Sequence, residues 1–274
     1  AATDAARKTF ASSCVDFMVE HGFDGVDIDW EYPMGGGLEG NETRPEDKAN
    51  YTLLLQALRA ELSARQKAQG RAEAYLLTIA APAGPSIIEH LESGAIARVV
   101  DWINVMSYDF HGAWEKMTGH NAPLRQATGD ALTGFNVESA IDAYLKAGVP
   151  ASRLVMGVPF YGRSFAGVSA GATHGLHQGT RGAGPGTWEN GILDYHDIVA
   201  KYLNASGYVR YVDDSASVPY LFDATQGVFI SYDDPESIKQ KRALITKKQL
   251  AGSMVWDLTS DTRDNVLLNA LTGR

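Results

Sequence analysis

Apolar residues recur at helical spacing from the start of the chain. Phe10, Cys14, Phe17, Met18 and His21 form one stripe, Thr3 and Asp4 offer caps before it, and Gly22 suits the position just past its end. A β-rich run, Gly25–Trp30, and a Gly-rich loop, Met34–Gly40, come next. The spacing of Leu54, Leu55, Leu58 and Leu62 then predicts a second helix over about Pro45–Ala68. Further along, Tyr75–Ala81 reads as a strand, Pro85–Ser93 as a helix start, Trp102–Tyr108 as a strand and Val137–Ala147 as a helix closed by Gly148. Leu154–Phe160 is again strand-like. Ser237–Lys247, Gly252–Leu258 and Asn265–Leu271 predict a helix, a strand and a short last helix. Strands alternating with helices imply βα units on a parallel sheet, hence an α/β fold.

Residues 163–228 break this rhythm with glycines, tyrosines and short β-like runs such as Tyr208–Val212 and Val218–Phe222. They predict an inserted α+β subdomain, leaving 1–162 and 229–274 as one domain with five barrel-like strands. An eight-stranded barrel needs about 250 residues, so three strands are expected to precede residue 1.

Composition narrows the function classes. The 274 residues are 45% hydrophobic and 21% charged, as in globular proteins, and the net charge of −9 with no basic stripe argues against nucleic-acid binding. A single cysteine excludes an internal disulfide and any Cys-rich zinc site. No apolar run approaches the roughly 18 residues of a membrane span.

The chemistry concentrates in Phe23–Pro33. Alternation along a strand puts Asp27, Asp29 and Glu31 on one face and Val26, Ile28 and Trp30 on the other. Three carboxyls about 7 Å apart on one buried face repel one another. The arrangement serves chemistry when one group is held protonated as a general acid while a neighbour stays ionised.

The run Asp24-Gly-Val-Asp27-Ile-Asp29-Trp-Glu31 resembles the DxxDxDxE signature of glycoside hydrolase family 18, the chitinase family. Met106-Ser-Tyr108-Asp109, Gly157-Val-Pro-Phe-Tyr161-Gly-Arg163 and Met254-Val-Trp256-Asp257 resemble the family's sixth-, seventh- and eighth-strand motifs. The resemblance implies a partial TIM (β/α)8 barrel, strands four to eight, with an α+β insertion between strands seven and eight as in the deep-cleft subgroup. The third-strand SxGG motif has no counterpart, and Gly35-Gly36-Gly37 follows the fourth strand. The implied activity is retaining, substrate-assisted hydrolysis of β-1,4-linked N-acetylglucosamine polymers, with no metal or cofactor and with chitin or chito-oligosaccharides as partners, in a secreted protein. Glu31 would be the acid and Asp29 would hydrogen-bond the acetamido N–H. Asp27 would share a proton with Asp29, and Tyr108 would hold the acetamido group. Asp109, Tyr161, Arg163 and Trp256 would contact sugar, with Tyr32, Met106 and Trp114 carried over on weaker matches. Rival readings are a binding-only, lectin-like barrel, an inactive truncated barrel and an endo-β-N-acetylglucosaminidase. Open sheet edges would favour self-association into a homo-oligomer.

Other signals read as structural. Asp24 is out of phase with the acidic face and reads as a strand-entry residue. Cys14 is expected to be a buried, inert thiol, and Lys239, Lys241, Arg242, Lys247 and Lys248 a solvated helix face. Trp30 and Trp102 are assigned to the core, and Trp188 is undecided. His174 and His177 lack acidic partners for zinc. Gly182-Ala-Gly184-Pro-Gly186 has no strand–helix context for a phosphate loop, and no nucleophile elbow supports Ser/His/Asp hydrolysis. Asn41, Asn50 and Asn204 open glycosylation sequons.

Overall fold

Residues 1–274 are all described in the computed structural model. They fall into two compact units: Ala1–Val105 with Ile141–Val155 and Leu250–Gly252, and Met106–Ala140 with Met156–Gln249 and Ser253–Arg274.

The first unit opens with α1 (Asp4–Glu20), whose N-cap Thr3 accepts from the Ala6 amide and whose end is followed by Gly22 at φ 73°. Strand β1 (Gly25–Asp29), helix α2 (Asp47–Ala68), strand β2 (Leu76–Ala81), two single-turn helices α3 (Pro85–Ile88) and α4 (Ser93–Ile96), and strand β3 (Trp102–Val105) follow. β1, β2 and β3 pair in parallel, with Asp27 opposite Thr78 and Ala80 opposite Asn104. Gly25 permits the first pairing, since a Cβ there would lie 2.4 Å from the Leu76 carbonyl oxygen. Helix α2 buries Tyr51, Leu54, Leu55, Leu58 and Leu62. From its polar side the Arg59 guanidinium reaches the Val99 and Tyr75 carbonyls and the Asp101 carboxylate, at 3.0, 2.8 and 2.6 Å. Asp101 also accepts from the Leu77 amide, so one ion pair fixes where β2 and β3 begin.

Helix α5 (Val137–Lys146) and strand β4 (Leu154–Pro159) come next, and β4 is buried throughout. The five-stranded sheet runs in the order β1-β2-β3-β4-β11, with β11 at Gly252–Trp256. The second unit carries a six-stranded antiparallel sheet. Its strands are β5 (Tyr161–Ala166), β6 (Gly182–Ala183), β7 (Ile192–Asp194), β8 (Tyr208–Asp213), β9 (Val218–Asp223) and β10 (Val228–Ser231). The order is β6-β5-β10-β9-β8, with β7 also on β5. Phe165, Val168, Leu176, Tyr220, Phe222 and Phe229 pack as its core. The turn α6 (Tyr195–Asp197), helix α7 (Pro235–Lys248) and helix α8 (Val266–Thr272) complete it. Asp234 caps α7 in a capping box with Ser237.

Four expectations change. The buried stripe of α1 is Ala11, Val15 and Met18, while Phe10 and Phe17 are exposed. Cys14 accordingly sits half-buried, its thiol raised by burial, rather than enclosed. A periodic apolar stripe marks a helix, but the neighbouring elements decide which face is covered, and the Phe17 ring meets only the nearby rings of His21 and Phe23. Lys241 is not on a solvated face. It is fully buried and bonded to Asp233, itself buried, whose other carboxylate oxygen takes the Ser237 hydroxyl. The helix predicted from Pro85 is two separate turns, α3 and α4. No helix is long and apolar enough to cross a membrane.

Candidate functional site

In the first unit the acidic residues lie at the end of edge strand β1. Asp27 and Asp29 are on the strand, while Glu31 lies two residues past its end. The face they line is open rather than buried: all three side chains are exposed, and Ile28 on the other face is the enclosed one. β1 is also the edge strand of its sheet, so one of its hydrogen-bonding edges is unpaired. Asp27 accepts from the Thr78 hydroxyl and from Asn104 Nδ2 at 3.3 Å, two groups supplied by β2 and β3. Solvent reaches Asp29, yet partial burial raises its carboxyl above the usual range, and the charges of Glu31 and Asp27 add to the shift. Asp24 pairs with Arg71 at 2.7 Å at the strand entrance.

The Gly-rich loop contributes what sequence reasoning missed. A Cβ on Gly37 would fall 1.9 Å from the Glu31 carbonyl oxygen and 3.0 Å from the Tyr32 nitrogen, so the loop backbone lies flat on the peptide joining them. Asn41 Nδ2 donates to the same carbonyl at 3.3 Å. The Glu31–Tyr32 and Trp256–Asp257 peptides are cis. Tyr32 is half-buried and faces Gly36. A glycine run that repeats no known motif gave no signal of this close approach.

In the second unit Asp109 organises the predicted sugar contacts. Its backbone is left-handed at φ 57°, a conformation Asp tolerates better than most residues. Its amide donates to Asn121 Oδ1 at 3.0 Å, and Asn121 Nδ2 donates to the Tyr161 carbonyl at 3.1 Å. The Asp109 carboxylate takes the Tyr161 hydroxyl at 2.8 Å and a two-pronged Arg163 contact, 2.7 Å at each oxygen. Burial would lower Arg163, but its bonds and charge contact with Asp109 more than offset that and raise it, so it remains a cation. Tyr108 meets Tyr161 edge to face at 6.1 Å and directs its hydroxyl at Met254 Sδ, 3.8 Å away. Met106 and Tyr108 sit in a turn beyond β3, so strand alternation stops before them.

The Arg163 guanidinium also lies 5.0 Å from the ring centre of Trp114, which is 61% exposed. Trp256 is likewise 59% exposed, which sets aside a core role. A cavity of about 230 Å³ is lined by Asp109, Tyr161, Arg163, Trp188, Asp194 and Trp256, among others. Trp188 is the most open large apolar side chain here at 86%, with its Nε1 donating to Asp194 at 2.9 Å. Trp30 packs edge-on against Tyr51, and Trp102 is half-buried with its Nε1 on Asn104 Oδ1. This unit can thus present aromatic faces beside a fixed carboxylate–guanidinium pair, suited to the apolar faces and hydroxyls of a sugar.

The chain is similar to known proteins in both sequence and structure. The profile described as "Glycosyl hydrolases family 18" matches residues 1–261. The chain is 48% identical over 277 residues to Chitinase A1 of Niallia circulans, covering 99% of this chain and 39% of that protein. Among solved structures, chitinase ChiA74 from Bacillus thuringiensis superposes with a TM-score of 0.92 at 42% identity, covering 99% of this chain and 47% of that one. A family 18 N-acetylglucosaminidase from Paenibacillus barengoltzii gives 0.90 at 38% identity, covering 99% and 76%. The chain spans well under two thirds of the curated relatives it matches first. The acidic strand, the aromatic-lined second unit and the profile match lead to one conclusion: the chain belongs to glycosyl hydrolase family 18.

Proposed function

We propose that the chain acts as a chitinase, hydrolysing β-1,4-linked N-acetylglucosamine chains with retention of anomeric configuration. The observation that carries this is Glu31 at the exit of β1, behind Asp27 and Asp29, in a chain 48% identical to a chitinase. Active sites of barrel enzymes lie at that end of the strands. Glu31 protonates the glycosidic oxygen. The substrate's own acetamido oxygen attacks the anomeric carbon in place of an enzyme carboxylate. Asp29, whose carboxyl partial burial raises, is suited to pairing with the acetamido group, with Asp27 two residues before it on the same face of β1. On the family resemblance, Tyr108 and Asp109 are assigned to the acetamido-bearing sugar, Trp256 to stacking on a sugar face, and Tyr161, Arg163, Trp114, Tyr32 and Met106 to further substrate contact.

The fold reading goes with this function. The five-stranded sheet is read as strands four to eight of a (β/α)8 barrel, and residues 163–228 as an insertion subdomain walling a sugar cleft. The antiparallel sheet between Tyr161 and Ser231 supports that reading. Soluble chito-oligosaccharides or chitin are the substrates, the protein works outside the cell, and copies of the chain associate through the open sheet edge at β1.

The test is fluorophore release from chitobiose and chitotriose glycosides, comparing this chain with Glu31→Gln at matched folding. Loss of at least about a hundredfold in the variant, with sugar binding retained, is expected. Substantial turnover by Glu31→Gln would sink the assignment of the acid. Release from the monosaccharide glycoside in preference to longer ones would move the reading toward an N-acetylglucosaminidase.

A further inference from the structure

A buried cluster of charged groups lies outside the sugar contacts. His111 is 5% exposed, and both of its ring nitrogens face carboxylates: Nδ1 lies 2.6 Å from Glu115 and Nε2 lies 3.0 Å from Asp130. A neutral imidazole can donate from only one nitrogen, so this geometry calls for the doubly protonated imidazolium. Gly119 leaves room for the ring, since a Cβ there would stand 2.3 Å from it.

The cluster closes a turn. The Glu115 amide donates to the Gly112 carbonyl at 3.0 Å, and Trp114 folds its indole over Gly112, where a Cβ would be 2.2 Å from the ring. The indole also meets the Arg163 guanidinium, which is held by Asp109 two residues before His111. Arg163 thus ties Asp109 to the Trp114 indole, and the neighbouring Glu115 ties the same turn to His111, so the side-chain contacts at both ends of this turn lead back to the Asp109–His111 segment. We propose that His111 is a positioning residue, an imidazolium staple that holds Trp114 and Arg163 in place as a sugar-binding platform. The proposal rests on the reading of those two residues as sugar contacts.

The surrounding groups fit a proton-dependent staple. Burial works against the charged ring, but Asp130 and Glu115 more than offset it and hold His111 at about 9. Across an adjoining cavity of about 410 Å³ stand His177, lowered by burial and so neutral at pH 7, and Lys116 on the rim. Asp109 is committed to Arg163. Above about pH 9 the ring loses a proton and one of its two bridges must break, and with the Glu115 bridge broken the turn carrying Trp114 is released.

The first experiment uses the unmodified chain. Long-range imidazole and indole proton–nitrogen spectra are recorded from pH 6 to 10.5, with the Trp114 resonance assigned through Trp114→Phe. His111 should be doubly protonated at pH 7, and the Trp114 indole should shift with the same alkaline midpoint. A neutral His111 at pH 7, or an indole that ignores its titration, would overturn the staple. The second experiment measures chitotetraose binding and hydrolysis for the unmodified chain, His111→Gln and Asp130→Asn. Binding about five- to tenfold weaker, seen as raised KM with kcat retained, is expected, with the alkaline limb of the binding profile lost in His111→Gln. Equal affinity in all three, with the unmodified chain binding well, would overturn the positioning role. No sugar binding by the unmodified chain would instead overturn the reading of the site, and the coupled titration in the first experiment tells the two failures apart.

Discussion

Replacing Lys241 with methionine removes the ammonium from a pair in which both side chains are shut away from water, at 0% and 2% exposure. Burial already raises the Asp233 carboxyl, and the Lys241 charge is the largest influence pulling it back. Without it, Asp233 cannot remain ionised inside the protein and takes up a proton on folding. The cost at pH 7 is that of protonating an ordinary aspartate, about 1.36 × (7 − 3.9), or roughly 4 kcal/mol. Because the folded variant now holds a proton that its unfolded chain lacks, its stability falls as pH rises, by about 1.4 kcal/mol per unit above pH 4. Urea unfolding followed by tryptophan fluorescence should therefore show a deficit of roughly 4 kcal/mol at pH 7 shrinking to about 1.5 at pH 5. The double variant Lys241→Met/Asp233→Asn should lose most of that pH dependence. A deficit below about 1 kcal/mol that is flat between pH 5 and 8 would refute the reasoning, since Asp233 would then be keeping its charge by some other means.

Other consequences are as direct. Gly37→Ala forces a Cβ into the Glu31 carbonyl, so kcat should drop about tenfold or more with KM little changed, read by steady-state kinetics alongside a melting control. Trp256→Ala removes an exposed indole, so the melting temperature should hold while KM for chitotriose rises about tenfold. His111 is raised from 6.5 to about 9, so its contribution to stability is complete below pH 6.5 and disappears as pH climbs through 9. A thermal melt series from pH 6 to 10 should show that loss in the unmodified chain and not in His111→Gln.

The sequence made some of this legible because the signals were local. The strand carrying Asp27 and Asp29, the Thr3 cap and the stop at Gly22 each depend on a few adjacent residues, and each stands where the pattern put it. A helical wheel puts Lys241 on a solvated face because it sees only its own helix. Asp233, the residue that makes burial tolerable, lies eight positions away in the turn that leads into α7. Phe10 and Phe17 show the same in reverse, since an apolar stripe does not say whether a neighbour will cover it. The Gly37–Glu31 approach and the His111 cluster depend on steric fit and on groups drawn from separate segments, for which a linear pattern carries no mark.

The cap of α7 does two jobs at once. One oxygen of Asp234 takes the amides of Glu236 and Ser237, while the other holds Arg210 of β8. Fraying the first turn of the helix therefore also costs a charge-assisted bond to the antiparallel sheet, and peeling away β8 weakens the helix start. Amide hydrogens in the first turn of α7 and along the β8–β9 ladder should consequently exchange with solvent as one cooperative group, and Asp234→Ala should split that group in two.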